Sequence, residues 1–398
     1  MKSLQIYINE YIIKNKLDKP IDSENHYEYF PETKEELIKN INECLGIKNY
    51  NLNCIDTSKI IDMSFLFYEI NKNKIVKNID ISEWDVSNVT NMERMFFNCV
   101  NFNCDLSKWN VSNVTNMQNM FYNCTEFNGD LSGWDVSNVT NMMNMFYNCK
   151  MFKGKGFEKW PVHNVENMSS MFMNCINFNS DLSKWNVSKV TNMISMFFKC
   201  TNFNGDLSKW DVSNVEFMNY MFSEIKNYIK DVINYKDIEN WDVSNVINMS
   251  GMFDCCKDFN GDLSNWDVSS LRETENMFNR CDRFKGKGLE NWNMSNVWNP
   301  SQMFIFCTDL CCDLSKWNLS KLQNGYMMFS QCENFDCDVS NWNIGKNNKL
   351  SNIHSMFQGC IKFKGKGLDK WPIDEKVDTY NALRGCYRIE NTPSWYKQ

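Results

Sequence analysis

Cysteine is where a search for chemistry starts, because eleven thiols recur at one position of the chain: 99, 124, 149, 175, 200, 256, 281, 307, 332, 360 and 386. A tetrahedral metal site needs four ligands converging on one point, usually supplied as close pairs of cysteines. One cysteine about every 25 residues gives a column along an axis instead, so no metal is expected. Cysteine is also among the most readily buried small side chains. Cys99, Cys124 and Cys149 are therefore assigned to a structural core. The doublets Cys255-Cys256 and Cys311-Cys312, and Cys104, Cys312 and Cys337 at a turn position that is often Gly, read as drift without a redox role.

The other reactive groups are equally sparse. Only three histidines exist, His26, His163 and His354, and none stands in a catalytic spacing to another. Nucleophile-base catalysis has almost no raw material here. Asp85, Asp135, Asp211, Asp242 and Asp267 recur at one position and read as decoration of a strand face. The expectation is no catalytic residue, no cofactor and no enzyme. The repeated S-N-V-T-N segment, for instance Asn88 with Asn91, suits an amide ladder that satisfies turn groups in adjacent coils.

The elements that position these residues follow from tryptophan, which falls at 84, 109, 134, 160, 185, 210, 241, 266, 292, 317, 342 and 371. The step is 25 or 26 except at two places, and a degenerate earlier copy is visible as Leu52, Ile55, Met63, Leu66, Phe67 and Ile70, which makes thirteen units. Trp84, Trp109 and Trp134 are core positions. Within a unit, Leu131, Trp134 and Val136 have the L-x-x-L-x-L spacing of a short strand with its apolar side inward. Met142, Met145, Phe146 and Cys149 then stand at i, i+3, i+4 and i+7, one face of a helical turn or two. Such a unit cannot bury its face alone, so neighbours must stack. The fold class is a repeat solenoid of leucine-rich-repeat type, with short parallel strands on one face, short helices or turns on the other, and a helical N-terminal cap. At about 4.8 Å per coil the body would be on the order of 60 Å long.

Three segments divide the chain. Residues 1–48 lack the repeat and carry a helical stretch from Thr33 to Leu45, opened by Thr33 with Glu36 three residues on and Pro31 just before. Residues 49–386 form the solenoid, with an insertion near 223–236 and a smaller one around Gly345 to Lys349. Residues 387–398, with Pro393 and Trp395, depart from the repeat and cover the last coil.

The units W-D-V-S-N-V-T-N-M-x-x-M-F-x-x-C at Trp84 and Trp109 (W-N there), with F-P-E-T-K-E-E-L at 30–37 and N-L-N-C-I-D-T-S at 51–58, resemble the BspA-like leucine-rich-repeat family. More narrowly they resemble a branch of unassigned repeats common in mycoplasma lipoproteins and found also in other low-GC bacteria, protists and large viruses. The match covers about residues 30 to 390. The resemblance implies a leucine-rich-repeat-like solenoid, a role in adhesion or protein binding, and no catalytic residues. It yields a non-enzymatic protein-interaction or structural scaffold as the main reading. Two alternatives stand beside it: a surface adhesin exported by an unrecognised route, and a virion-associated structural or host-binding protein.

Composition narrows the partners. A formal charge of -7 and no Lys/Arg cluster argue against nucleic acid. Apolar residues of the first seventeen positions are interrupted by Asn9 and Glu10, so no secretory signal is read, and no window of 18 apolar residues exists to insert in a membrane. Cytoplasmic or virion-associated localisation with reduced thiols is expected. The partner is then a protein, unidentified, or a second copy through open ends. The candidate interface is the column after the Met-Phe pair, Phe97, Tyr122, Tyr147, Met173 and Phe198, which gives way to Ser223, Asp254 and Asn279 in later coils.

Overall fold

A single coil shows how local chemistry builds the whole. In the unit from Asp130 to Phe152, Asp130, Asp135 and Asn141 each turn the chain by accepting, on Oδ1, the backbone N–H two residues on, at 3.0 Å from Ser132, Ser137 and Met143. Asx turns of this kind are what Asp and Asn side chains do best outside helices. Between them, N–H groups donate three residues back, Trp134 to Leu131 at 3.1 Å, Val139 to Val136 at 3.0 Å and Met145 to Met142 at 3.1 Å. The coil is thus a closed series of tight turns.

Alternate amides of the Met142 to Asn148 stretch join coils. Met142, Asn144, Phe146 and Asn148 donate to the carbonyls of Asn167, Ser169, Met171 and Met173 in the next coil at 2.7–3.0 Å. Asn144 and Asn148 do so at φ 54° and 59°, the left-handed region that Asn tolerates better than other residues carrying a Cβ. Single parallel bridges mark the same ladder, Asn91 to Asn116, Asn116 to Asn141, Asn141 to Asn167 and onward to Asn299, and again from Asn324 through Asn352 to Asp378. The structure, a computed structural model, describes residues 27–70, 76–225, 238–345 and 349–396.

Two expectations about the coil are corrected. The Leu131 to Val136 stretch, read as a strand, is a pair of turns in which Ser132 N–H donates to Asp130 Oδ1 and Trp134 N–H to Leu131 O. The Met142 to Cys149 stretch, read as helical, is the ladder itself. A helix would send every N–H four residues back and leave none to hold the next coil. Among the described residues, bridges are single rather than extended strands, and helices are confined to α1 (Lys34–Gly46), α2 (Leu66–Ile70) and a few 3-10 turns. The solenoid stands, built of turns. The Asp residues expected on a strand face are turn-formers: Asp85, Asp211, Asp242 and Asp267 each hold the serine N–H two residues on at 2.9–3.1 Å.

The core is a set of columns along the axis. Trp109, Trp134 and Trp160 stack with centroids 6.3–6.4 Å apart. Phe96, Phe121 and Phe146 form a second column at 5.4 Å spacing. Each indole N–H also reaches one coil back: Trp84 donates to Leu52 O at 2.9 Å and Trp134 to Leu106 O at 3.0 Å. That bond removes the one polar atom that would oppose burying the ring.

α1 covers the N-terminal end. Thr33 Oγ1 accepts the Glu36 N–H at 3.2 Å, and the Glu36 carboxylate accepts the Glu32 N–H at 2.8 Å, so both ends of the first turn are held. Leu37, Ile41, Cys44 and Leu45 are the buried face. Of the other segments expected outside the repeat, residues 1–26, most of 223–236, and 346–348 lie outside the described residues. At the far end, Trp395 stacks on Trp371 at 6.1 Å, so the stretch read as departing from the repeat supplies one more ring to the column.

Candidate functional site

One column of the ladder changes character half-way along the chain. In the coils from Trp84 to Trp185 the residue before the bridging Asn is Thr90, Thr115, Thr140, Glu166 and Thr191, and each of the four threonine hydroxyls donates to a carbonyl one coil back at 3.2–3.5 Å. These short side chains satisfy themselves. In the later coils the same place is taken by Glu216, Ile247, Arg272, Trp298 and Gln323, five different long side chains in succession. Their backbones remain on the ladder: Ile247 N–H donates to Glu216 O, Arg272 to Ile247, Trp298 to Arg272 and Gln323 to Trp298, all at 2.9–3.0 Å. A rigid row therefore aims them into one groove of about 1250 Å³, bordered also by Asn214, Asn245, Ser270, Asn296, Lys321 and Lys349.

Side chains, not main chain, define what this groove can hold. Asn245 and Asn296 spend their amide N–H on Ser213 O and Ser269 O at 2.7 Å, and Lys321 Nζ donates to Asn296 Oδ1 at 2.6 Å. Ser270 stands where the repeat has Asn, which opens the rung beside Arg272. Trp298 is half-exposed, whereas its neighbours Trp266 and Trp292 in the core column are each 4% exposed. Arg272, Lys321 and Lys349 are exposed cations and Glu216 an exposed anion. The lining contains neither histidine nor cysteine, the groups that most often serve as base or nucleophile. Among the described residues no three His, Cys, Asp or Glu side chains gather as a metal site.

The five residues singled out as an interface are brought into one column. Phe97 stacks on Tyr122 at 4.6 Å and Tyr122 on Tyr147 at 4.3 Å, with planes within 12°. Met173 and Phe198 continue the row, and the Lys199 ammonium lies 4.9 Å above the Phe198 ring. All five are half-buried, so each ring covers its neighbour while one edge faces outward. Beside them runs an amide ladder, Asn123 Nδ2 to Asn98 Oδ1 at 3.0 Å, Asn148 to Asn123 and Asn174 to Asn148 at 2.5 Å. The amide ladder sought at Asn88 and Asn91 also exists: Asn88 Nδ2 donates to Ser58 O at 2.8 Å, and Asn91 Oδ1 accepts the Glu93 N–H at 3.1 Å.

The thiol column is buried, and its sulfurs meet backbone carbonyls. Cys124 and Cys149 donate to Phe96 O and Phe121 O one coil back at 3.0 Å, and burial holds their ionisation well above the usual thiol range. Burial pushes Cys99 up to about 12. Trp84, Trp109 and Trp134 are buried with them. His163 is exposed, and His354 Nδ1 lies 3.2 Å from Asp378 Oδ2. No helix among the described residues is long and apolar enough to cross a membrane.

Sequence reasoning missed the groove. Its signal was available: Trp298 falls outside the 25-residue register of the other tryptophans, and the V-T-N triplet reads V-E-F, V-I-N, L-R-E, V-W-N and L-Q-N in five successive coils. The row from Glu216 to Gln323 is marked by the failure of repetition, which a search for periodic residues does not register.

Four overlapping stretches, 35–160, 148–236, 233–287 and 273–395, match the model of a family described as "Mycoplasma protein of unknown function, DUF285". No curated protein matches the chain. Among solved structures, a TLR13–ssRNA13 complex aligns at 11% identity and a TM-score of 0.21, covering 89% of this chain and 51% of that one. A leucine-rich repeat protein from Eubacterium ventriosum aligns at 14% identity and a TM-score of 0.30, covering 80% of this chain and 85% of that one. The chain spans about half the length of the first of these.

Proposed function

The chain belongs to the DUF285 family of mycoplasma proteins of unknown function, and we propose that it is a non-enzymatic scaffold of BspA-like, leucine-rich-like repeats whose groove docks another protein. One observation carries the reading. At Thr90, Thr115, Thr140 and Thr191, with Glu166 the one departure among them, the column is short and self-bonded. Where Glu216, Ile247, Arg272, Trp298 and Gln323 replace threonine, five chemistries face outward that the ladder does not need. Diverse side chains on a rigid, pre-formed row are what selective binding requires. The absence of histidine and cysteine from the lining supports binding over catalysis. The half-buried row from Phe97 to Phe198 is a second surface of the same scaffold, more polar along its amide edge.

The test is capture by the intact chain and by two double variants, with retained proteins identified by mass spectrometry. Trp298→Ser with Arg272→Ser removes the partners, and Tyr122→Ser with Tyr147→Ser keeps them. Capture that survives the groove variant and fails with the column variant moves the docking surface to the aromatic row. Fractionation of the native source then places the scaffold in a cytoplasm, a virion or on a cell exterior.

A further inference from the structure

Resting on the reading of the groove as a docking surface, we infer that its occupant is an extended acidic protein segment, whose apolar side chains lie against Ile247 and Trp298 and whose carboxylates face Arg272 and Lys321.

Charge is the first argument. The chain carries a formal charge of -7, yet the groove lining holds Arg272, Lys321 and Lys349 against one acid, Glu216. A locally positive groove on an acidic molecule draws an anionic ligand to itself, while the acidic remainder of the surface repels that ligand. The second argument is the order along the row. Arg272 lies on the rung between Ile247 and Trp298, joined to both by ladder bonds of 3.0 Å. Two coil steps of about 4.8 Å separate the apolar pair by about 10 Å, which a segment in the polyproline II form covers in three residues at about 3.1 Å each, and its three-residue turn puts both side chains on one face. A segment with two apolar residues three apart and acids between them matches that order.

The alternatives fit less well. A polyanionic glycan would use the Trp298 face but offers no aliphatic side chain to Ile247. A nucleic acid places a phosphate at each nucleotide and is met by a run of cations, whereas here Ile247, Trp298 and Gln323 interrupt the row. Main-chain pairing of a strand onto the groove floor is excluded, because the N–H groups of Ile247, Arg272, Trp298 and Gln323 are already bonded within the ladder.

The experiment uses the full chain and a fluorescein-labelled, end-blocked octapeptide, Glu-Glu-Leu-Glu-Glu-Leu-Glu-Glu, read by anisotropy at low salt. Competitors are the same peptide with Lys for Glu, the same with Gln for Glu, an oligoglucuronate and an oligothymidylate. The acidic peptide binds, the lysine peptide does not compete, and Arg272→Glu or Lys321→Glu weakens binding about tenfold. Both side chains are exposed, so near-UV circular dichroism of the variants stays that of the parent. Equal binding of the Gln or Lys peptide, indifference to both charge reversals, or a preference for either non-protein polyanion overturns the acidic-segment assignment. Trp298→Ser separates the two levels. If it releases a probe that the charge reversals leave bound, only the acidic assignment falls. If no probe responds to it or to the reversals, the groove reading falls as well.

Discussion

Trp395 lies on Trp371 with ring centroids 6.1 Å apart and planes 5° from parallel, and its indole N–H donates to Leu368 O at 3.1 Å. Trp371 stands in the same relation to Val339, whose carbonyl accepts its indole at 3.2 Å. The last ring of the column is therefore held by the contact that holds every ring before it, with one side less enclosed. Trp395→Ala should cost about 2 kcal/mol, below the ~3–5 kcal/mol of a fully enclosed ring such as Trp134→Ala. Urea midpoints of the two variants check the order. Hydrogen exchange should further show the Trp395 loss confined to the last coils, as nearest-neighbour stacking requires.

Thiols divide sharply by environment. Cys44 of α1 and Cys54 of the first coil have sulfurs 4.0 Å apart, while the column thiols are spent on carbonyls of the coil before. With oxidised glutathione as the oxidant, two thiols give up two protons and two electrons, and one glutathione disulfide becomes two thiols. The Cys44–Cys54 link should form first and join α1 to the solenoid. Because Cys54 is pushed up to about 12 by burial and the Cys44 thiol, the rate should keep rising with pH well above neutrality. Cys311, the exposed cysteine, should be the first alkylated by iodoacetamide. Peptide mapping without reduction reads both results; a disulfide within the Cys124–Cys149 column under native conditions would contradict them.

The period and the core were legible because they depend on residue type at fixed spacing: Trp84 to Trp371 and Cys99 to Cys386 need no knowledge of the backbone path. The path itself was misread for a physical reason. A series of turns that each close in three residues brings side chains inward every three or four positions, as a helix does, so Met142, Met145, Phe146 and Cys149 fit both. The discriminating signal was Asn at 98, 123, 148 and 174, the residue best suited to positive φ, at a place where a helix gains nothing from it. Likewise Leu131, Trp134 and Val136 fit a strand until Asp130 and Asp135, turn-formers with Ser two residues on, are given weight. The groove leaves no periodic signal, because Glu216, Ile247, Arg272, Trp298 and Gln323 share a position but no residue type.

Glycine at the F-K-G-K-G segments tests the coil path directly. Gly156 has φ 86°, and a Cβ there would sit 2.2 Å from Ser132 Cβ; at Gly288, φ 96°, it would sit 2.3 Å from Ser264 N. Backbone cannot yield as a flexible side chain would. Gly156→Ala or Gly288→Ala should destabilise by about 2 kcal/mol or more. Gly46 at the end of α1 has nothing within 4 Å of such a Cβ, so Gly46→Ala should be neutral or stabilising by up to about 1 kcal/mol. Thermal melts that fail to separate Gly46→Ala from Gly156→Ala would contradict the coil path described.

The same segments set how the molecule meets acid. Lys155, Lys287 and Lys366 place their ammonium groups on Asp130, Asp262 and Asp338 of the preceding coil at 2.6, 2.5 and 2.8 Å. Each aspartate also accepts its own Asx-turn N–H, from Ser132, Ser264 and Ser340. The lysine first, then the serine, holds each carboxyl down at about 2. An unfolded aspartate titrates near 3.9, so the folded value is the lower one. The stabilising contribution is therefore complete above about pH 4 and is lost as the pH falls toward about 2, where the folded carboxylates protonate. The pairs are solvent-exposed on the lysine side, and salt should weaken them. Replacing all three lysines with Met removes the larger cause and leaves the serine bonds. The urea midpoint of that variant should fall less steeply than the parent's between pH 4 and pH 2, and the two curves should converge at the acid end. Parallel curves across the interval would mean that the lysines contribute nothing to the acid response and that the Asx turns carry it alone.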